Sequence, residues 1–180
     1  MYQGQTPESP RPRDYPDLDV MLRRNAVQAI IDAVGDTKAV LIGEEHHPPQ
    51  TRTLLAPLLR ALKPRGFKYL AVETLNDDVS ATQKQGYPTD ETGTYTRDPV
   101  FAEALREAVQ LGYTLVPYES IPADRTLSPS AHQEARELGQ ARNIKERIFD
   151  KDPAAKALVW GGRSHASQGA WSSLTRWSSP

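Results

Sequence analysis

The hydrophobic positions follow two different spacings along the chain, and these spacings predict helices separated by short strands. Where apolar residues recur three or four apart, the period is helical. This pattern predicts helices over residues 17–34, 54–62, 99–111 and 130–149. Gly35 can end the first helix, Pro57 is expected to break or kink the second near its first turns, and Asp98 can cap the third.

Between these helices lie short, uninterrupted apolar runs, which are typical of strands buried on both faces of a sheet. The runs predict four strands, at residues 39–42, 67–72, 113–117 and 156–160. Because strands alternate with helices throughout, the pattern predicts an α/β fold. We expect a mainly parallel sheet with helices on both faces and a pocket at the carboxyl ends of the strands.

Two polar segments fall outside this alternation. Residues 1–16 hold four prolines among polar residues, which predicts a disordered or extended leader. Residues 76–97 are polar and contain two glycines and a proline, which indicates a long loop or lid. At a total length of 180 residues, we expect a single α/β domain over residues 17–180.

Composition and charge narrow the possible functions. The chain has 22 Lys and Arg against 23 Asp and Glu, a net charge of -1, so it lacks the basic field that attracts nucleic acid. It has no cysteine, which excludes disulfides, thiolate zinc sites, iron–sulfur clusters and a cysteine nucleophile. No apolar run is long enough for a membrane helix, and the first residues lack the apolar core of a signal peptide. We therefore expect a cytoplasmic protein, or a periplasmic or secreted one if a leader has been removed.

Side chains with useful chemistry collect directly after the predicted strands. In chain order they are Glu44, Glu45, His46, His47, Glu73, Tyr118, Glu119 and His165. Because the carboxyl ends of parallel strands meet at one edge of a sheet, we expect most of these residues to face one cavity. Carboxylates and imidazoles in one cavity suit acid–base chemistry or a hard metal ion. Glu45 and His47 alternate with the other pair and are expected to point elsewhere.

Two of the carboxylates differ in how strongly they indicate function. Glu73 ends an apolar run, where an unpaired buried ion is costly, so a functional role is favoured. Close to Glu44, it would form a like-charged pair in which at least one pKa should rise unless a metal ion or an arginine intervenes. Glu119 fits the same rim, a helix cap or a solvated loop equally well.

The late helix and the last strand contribute further candidates. Arg136, Gln140 and Asn143 share one helical face and either reach the rim or form a solvated polar stripe. His165 follows two glycines that allow a ligand to approach closely, which favours a functional role. His132, placed in the loop before the late helix, is expected to be exposed or to act as a cap.

The same residues resemble the superfamily that contains erythromycin esterases, ChaN-type haem-binding proteins and Tiki-type metalloproteases. Gly43-Glu44-Glu45-His46 with Pro49 resembles its G-E-x-H-x-x-P element. Four further elements match in order: the strand-terminal glutamate at Val72-Glu73, the third strand from Gly112-Tyr113 to Tyr118-Glu119, an R-x6-N helix from Arg136 to Asn143, and a G-x-x-H-A element ending in His165-Ala166.

This resemblance implies a pocket lined by four residues and supported by two more, namely Glu44, His46, Glu73 and His165 with Arg136 and Asn143. In esterase-like members such a histidine activates water for attack on an ester. In Tiki-like members similar groups are thought to hold a divalent metal ion, and ChaN-like members bind haem. Members usually continue beyond the G-x-x-H-A element, whereas this chain ends in SSP, which implies a truncated or altered C-terminus.

Together these observations predict a hydrolase that cleaves a small-molecule ester or amide with activated water. His46 would act as general base, Glu73 or Glu44 would orient the water or bind a metal ion, and His165 and Arg136 would stabilise the oxyanion. If a metal ion is present, the two histidines and two glutamates suit zinc or manganese. Two alternatives stay open: a protein that binds haem non-covalently, and an inactive relative that keeps only the fold.

Overall fold

The computed structural model describes residues 24–46 and 49–166, so the predicted leader lies outside the described residues. The elements are, in chain order, α1 (Ala26–Val34), β1 (Ala39–Glu44), α2 (Leu55–Leu62), β2 (Phe67–Val72), α3 (Ser80–Gln85), α4 (Pro99–Gln110), β3 (Thr114–Pro117), α5 (Pro129–Ile144), β4 (Lys156–Gly162) and α6 (Arg163–Ala166). Turns of 3₁₀ helix at Pro49–Leu54 and Lys63–Arg65 flank α2, and a π-helical turn at Lys145–Phe149 continues α5. Within this part of the chain, no helix is long and apolar enough to cross a membrane.

The four strands form one parallel sheet in the order β1-β4-β2-β3. β4 comes last in the sequence but lies between β1 and β2, because the connection through α5 returns the chain across the sheet. In the register of these strands, Glu44 is paired with Gly162, and Val72 is paired with Trp160. The carboxyl ends of β1, β4 and β2 are therefore side by side.

Helices cover both faces of the sheet, which confirms the predicted α/β fold. Alternate residues of each strand point to opposite faces, so Leu70 and Leu158 join one apolar cluster with α1, α2 and α4. Ala71 and Val159 join a second cluster with Ile144 at the end of α5. Burial on both faces explains why the strands are continuous apolar runs rather than alternating ones.

The helices differ from the predictions mainly at their ends. In the described residues α1 begins at Ala26, where the side chain of Asn25 accepts a hydrogen bond from the backbone N–H of Gln28 at 3.1 Å. Pro57 does not kink α2, because it lies in the first turn, where a helix needs no backbone donor. The cap at Asp98 is as predicted: its carboxylate accepts from the amides of Val100 and Phe101.

Two short helices were not predicted. α3 interrupts the segment expected to be a loop or lid, and α6 follows β4 directly. β4 is also two residues longer than predicted, because Gly161 and Gly162 continue its ladder with β1. This extension matters for the site, since it brings the backbone of Gly162 to the same level as Glu44.

Candidate functional site

Three neighbouring strands end at one place, and the side chains there form two clusters. Glu44 is the last residue of β1 and Gly162 is the last residue of β4. Glu73 follows β2 directly, and its backbone N–H donates to the carbonyl of Trp160 at 3.0 Å, which continues the ladder. The parallel sheet thus places the two carboxylates on either side of the end of β4.

The first cluster, the His46 cluster, is built around the buried carboxylate of Glu44. Oε1 of Glu44 lies 2.8 Å from Nδ1 of His46, and Oε2 accepts from Nε of Arg52 and from Nε1 of Trp160, each at 3.0 Å. Arg52 also donates to Oδ2 of Asp98 at 2.7 Å and to the backbone carbonyl of His46 at 3.0 Å. The carboxylate of Glu44 therefore cannot move without breaking bonds to three different segments.

Within the described residues, Nε2 of His46 has no hydrogen-bond partner. The imidazole is about one-third exposed, at 32%, whereas the side chain of Glu44 is 2% exposed. Because Nδ1 donates to the carboxylate, the lone pair of the neutral ring lies on Nε2. The cluster thus presents a basic nitrogen without a protein partner on a part-exposed ring.

The second cluster, the Glu73 cluster, is a network of alternating charges. Arg136 donates to Oε1 of Glu73 at 2.6 Å through Nη2 and to Oε1 of Glu119 at 2.9 Å through Nε, and its Nη2 also pairs with the second oxygen of Glu119. His165 lies between two carboxylates, with Nε2 at 3.1 Å from Glu73 and Nδ1 at 2.6 Å from Glu137. The remaining oxygen of Glu73 accepts from the backbone N–H of Gly162 at 2.5 Å.

Charge compensation sets the ionisation of the Glu73 cluster. Burial alone would raise the pKa of Glu73, but hydrogen bonds from His165 and Gly162 and the charges of His165 and Arg136 lower that pKa to about 2. Burial likewise opposes the charged form of His165, but the hydrogen bond and charge of Glu73 and the charge of Glu137 raise its pKa. Glu73 is thus a carboxylate and His165 favours the imidazolium form.

The sequence predicted that an arginine or a metal ion could relieve repulsion between Glu44 and Glu73, and each carboxylate has its own arginine. Arg136 pairs with Glu73, whose pKa is lowered rather than raised. Arg52 pairs with Glu44. The two ions are therefore separately compensated.

The two clusters approach each other at Gly162. A Cβ built on this residue would lie 2.8 Å from Nε2 of His46 and 3.4 Å from Oε2 of Glu73. Nε2 of His46 thus lies beside the backbone of Gly162, which separates the two clusters. A side chain at this position would therefore have to displace His46.

The other predicted residues support this edge of the sheet. Gln140 donates to Glu119 at 2.8 Å, and Asn143 donates to the backbone carbonyls of Tyr118 and Glu119 at 3.2 and 3.0 Å. Tyr118 is buried, and its hydroxyl donates to the carbonyl of Trp160 at 3.3 Å. Burial, together with the charges of Glu73, Glu119 and Glu137, raises the pKa of Tyr118 well above its usual value, so it acts as a neutral donor.

The sequence also singled out Glu45, His47 and His132. Glu45 pairs with Arg163, which belongs to neither cluster. His47 lies outside the described residues. His132 was predicted to precede the late helix, but it lies in the first turn of α5, because α5 begins at Pro129.

No protein-family model and no curated protein matches this chain. Solved structures do. A structure described as bacterial protein toxins superposes with a TM-score of 0.60 at 16% identity, over 78% of this chain and 31% of that one. RRSP, a MARTX toxin effector domain from Vibrio vulnificus CMCP6, superposes with a TM-score of 0.53 at 16% identity, over 77% and 32%. The type III effector HopBA1 has a TM-score of 0.49 at 19% identity, over 76% and 71%.

The chain shares its fold with domains of bacterial toxins. It spans about a third of the two toxin chains, and identities of 16% show the fold alone. Neither toxin structure is described as an erythromycin esterase, a ChaN protein or a Tiki protein, so that resemblance stays a prediction.

Most polar atoms of the residues predicted to bind a metal ion already have protein partners. Within residues 24–46 and 49–166, no group of three or more His, Asp or Glu side chains is arranged to hold a metal ion. Both nitrogens of His165 face carboxylates, and both oxygens of Glu73 accept hydrogen bonds from protein groups. The donor set as built does not fit a metal ion, and zinc, manganese and haem stay predictions from the sequence.

A groove lies beside the site rather than over it. Its volume is about 520 Å³, and it runs between α2 and α4 with Arg52 at one end and Arg60 and Glu107 among its other lining residues. It adjoins the His46 cluster through Arg52. The pocket predicted at the strand ends themselves stays a prediction.

Several residues of the two clusters were missed by sequence reasoning. Arg52 and Trp160 hold Glu44, and Glu137 holds His165, yet none of them belongs to a recognisable spacing with its partner. One signal was available for Glu137. It follows Gln133 by four residues, and residues at this spacing meet on one face of a helix. In the structure, Nε2 of Gln133 donates to Oε1 of Glu137 at 2.7 Å. The rule that a buried ion needs a partner could also have prompted a search for an arginine near Glu44.

Proposed function

We propose that the chain is a hydrolase that cleaves an ester or amide bond of a small molecule with water activated by His46. One observation carries this proposal: Glu44 engages Nδ1 of His46, while Nε2 has no partner within the described residues and lies beside Gly162. A buried carboxylate that orients an imidazole, with the other nitrogen left without a protein partner, is the arrangement of a general base. The fold shared with toxin domains gives no information about the substrate.

In the proposed reaction, His46 accepts a proton from water as the water oxygen attacks the carbonyl carbon. The carbonyl π bond breaks, and its electrons form an oxyanion on the tetrahedral intermediate. When the intermediate collapses, the C–O or C–N bond breaks and the imidazolium returns its proton to the leaving oxygen or nitrogen. Glu44 keeps its charge throughout and stabilises the imidazolium through Nδ1, at 2.8 Å.

The Glu73 cluster supplies a fixed donor in this proposal. Arg136 uses Nε and Nη2 for Glu73 and Glu119, and its Nη1 makes no hydrogen bond to any described residue. We assign Nη1 to the developing oxyanion, since a charged donor held by two carboxylates needs little reorganisation. His165, predicted to share this role, has both nitrogens engaged, so we assign it to hold Glu73 in place.

The test compares the wild type with His46→Ala and with His132→Ala on a panel of chromogenic esters and anilides. We expect His46→Ala to lower kcat/KM at least 100-fold, because general-base catalysis contributes roughly 10²–10⁴-fold. Its melting temperature should stay close to that of the wild type, since the imidazole is part-exposed. The His132→Ala variant is the control for loss of a histidine and should keep full activity.

Two results would overturn the proposal. The first is hydrolysis that survives in His46→Ala at the wild-type rate. The second is a chain that hydrolyses nothing in the panel but binds hemin in a saturable way, with a Soret shift that His46→Ala abolishes. That second result would favour the haem-binding alternative.

A further inference from the structure

Tyr95 has a backbone conformation that its side chain disfavours. Its φ is 65°, and it is the only residue other than glycine with positive φ in the described part of the chain. A bulky residue in the left-handed region is a real outlier, because its Cβ crowds the following carbonyl oxygen. Such conformations persist only where the surroundings enforce them, and they concentrate at functional sites.

The segment that carries Tyr95 is firmly tied to the domain, although the sequence predicted a loop or lid. The N–H of Thr94 donates to the carbonyl of Thr74 at 2.8 Å, and Leu75 forms an antiparallel bridge with Gly93. A Cβ on Gly93 would lie 2.2 Å from the same carbonyl of Thr74, so the two backbones are in close contact.

Hydrogen bonds of buried threonine hydroxyls also hold this segment in place. The hydroxyl oxygens of Thr82 and Thr92 are 2.7 Å apart, and Thr96 donates to the carbonyl of Gly93 at 2.8 Å. After the turn, the N–H of Asp98 donates to the carbonyl of Tyr95 at 2.9 Å. The position of Tyr95 is thus fixed by backbone bonds on both sides.

This segment presents the Tyr95 ring to the catalytic base of the proposed reaction. The rings of Tyr95 and His46 are stacked, with centroids 5.2 Å apart and planes 17° from parallel. The guanidinium carbon of Arg52 lies 4.6 Å from the centroid of the same ring. An aromatic face attracts a cation, so the Tyr95 ring can stabilise positive charge that develops on the imidazole during the proposed reaction.

We infer that Tyr95 is a positioning residue for His46, and this inference rests on the proposed function. Its ring limits rotation of the imidazole, so that Nδ1 stays on Glu44 and Nε2 stays beside Gly162. It also stabilises the charge that His46 gains when it takes a proton from water. The backbone strain at Tyr95 is the cost of placing an aromatic face there.

The experiment compares Tyr95→Asn with Tyr95→Phe on the best substrate of the panel. Asparagine tolerates the left-handed conformation, so the turn is kept while the ring is removed. Stacking and a cation–π contact on the same ring act together, so we expect kcat to fall about tenfold, which is about 1.4 kcal/mol, in Tyr95→Asn, with KM changed less than twofold. Tyr95→Phe keeps the ring and should restore kcat to within about twofold of the wild type.

A second variant and a second measurement keep the inference open to refutation. Tyr95→Gly relieves the backbone strain and should show the same loss of kcat if Tyr95→Asn folds poorly. In ¹⁵N-edited NMR spectra, the Nδ1–H signal of His46 should be sharp in the wild type and in Tyr95→Phe, but broadened by exchange in Tyr95→Asn.

The outcomes separate the inference from the proposed function. Unchanged kcat and an unchanged Nδ1–H signal in both ring-deleted variants would overturn the role of Tyr95 while the hydrolase proposal stands. A rise in KM alone would also overturn it, because the ring would then contact the substrate. If His46→Ala kept full activity, the proposed function would fail, and the NMR signal would still report whether Tyr95 orders the imidazole.

Discussion

The two clusters contain the same chemical groups but differ in how many of their polar atoms are committed. In the Glu73 cluster, both nitrogens of His165 and both oxygens of Glu73 have protein partners, and each of these side chains is about 5% exposed. In the His46 cluster, the carboxylate of Glu44 is equally committed, but the imidazole is part-exposed and one of its nitrogens has no partner among the described residues.

This difference separates a supporting role from a reactive one. A fully paired network of buried charges is rigid, and removing one member leaves an uncompensated ion. An imidazole held at one nitrogen keeps the other for a proton. We therefore expect variants of the Glu73 cluster to affect stability first, and variants around His46 to affect turnover first.

The largest effect on stability should come from Glu73→Gln. The change removes the charge shared by Arg136 and His165 and leaves two buried or half-buried cations facing fewer anions. Breaking one partner of such a buried network typically costs roughly 3–5 kcal/mol in the free energy of unfolding. Urea denaturation of the variant and of the wild type measures this loss.

The matched control is Glu103→Gln, which removes one charge from the exposed ion pair with Arg106. An exposed pair is worth about 0–1 kcal/mol, so this variant should unfold close to the wild type. If Glu73→Gln and Glu103→Gln lose the same stability, the Glu73 cluster is not a compensated network, and the comparison between the two clusters fails.

A pair of glycine variants sharpens the comparison within β4. A Cβ on Gly162 would lie 2.8 Å from Nε2 of His46, which is the far end of a part-exposed side chain and can move away. We expect Gly162→Ala to lower kcat/KM about tenfold or more by displacing His46, with less than about 1 kcal/mol lost in stability.

The neighbouring variant Gly161→Ala should behave in the opposite way. Its Cβ would lie 2.2 Å from the hydroxyl oxygen of Tyr118, which is buried and cannot move freely. Overpacking of this kind costs roughly 1–3 kcal/mol. Equal losses of activity with no loss of stability in either variant would show that the two sides of β4 are not different.

The fold could be predicted from the sequence because it follows from the spacing of hydrophobic residues. Continuous apolar runs indicated strands buried on both faces, and β2 has the predicted bounds of residues 67–72. The spacing of hydrophobic residues does not determine the order of the strands in the sheet. Nothing in the sequence places β4 between β1 and β2, and this order brings Glu44 and Glu73 to either side of Gly162.

The residues of the candidate site could be named from the sequence, but the side chains that pair with them could not. Residues after strand ends could be named, because parallel strands end at one edge. The partners could not, since Arg52 reaches Glu44 through a 3₁₀ turn and Glu137 reaches His165 from a different helix. Tyr95 was hidden for another reason: its position depends on a strained turn inside a segment whose polarity indicated only a loop.

The stability of the protein should depend on pH, and the sign of this dependence follows from the Glu73–His165 pair. The pKa of Glu73 is lowered from 4.5 to about 2, so its contribution is complete above pH 4.5 and is lost as the pH falls toward 2. The pKa of His165 is raised above 6.5, so its contribution is complete below pH 6.5 and is lost as the pH rises through the folded value. The free energy of unfolding attributable to this pair should therefore have a plateau between pH 4.5 and 6.5.

Urea denaturation at a series of pH values measures this dependence. The acid slope should be shallower in Glu73→Gln than in Glu103→Gln, because the latter keeps the Glu73–His165 pair. A variant lacking Glu73 that shows the full acid slope would assign that slope to other carboxyls, such as Glu119, whose pKa is also lowered because the hydrogen bonds from Arg136 and Gln140 outweigh burial.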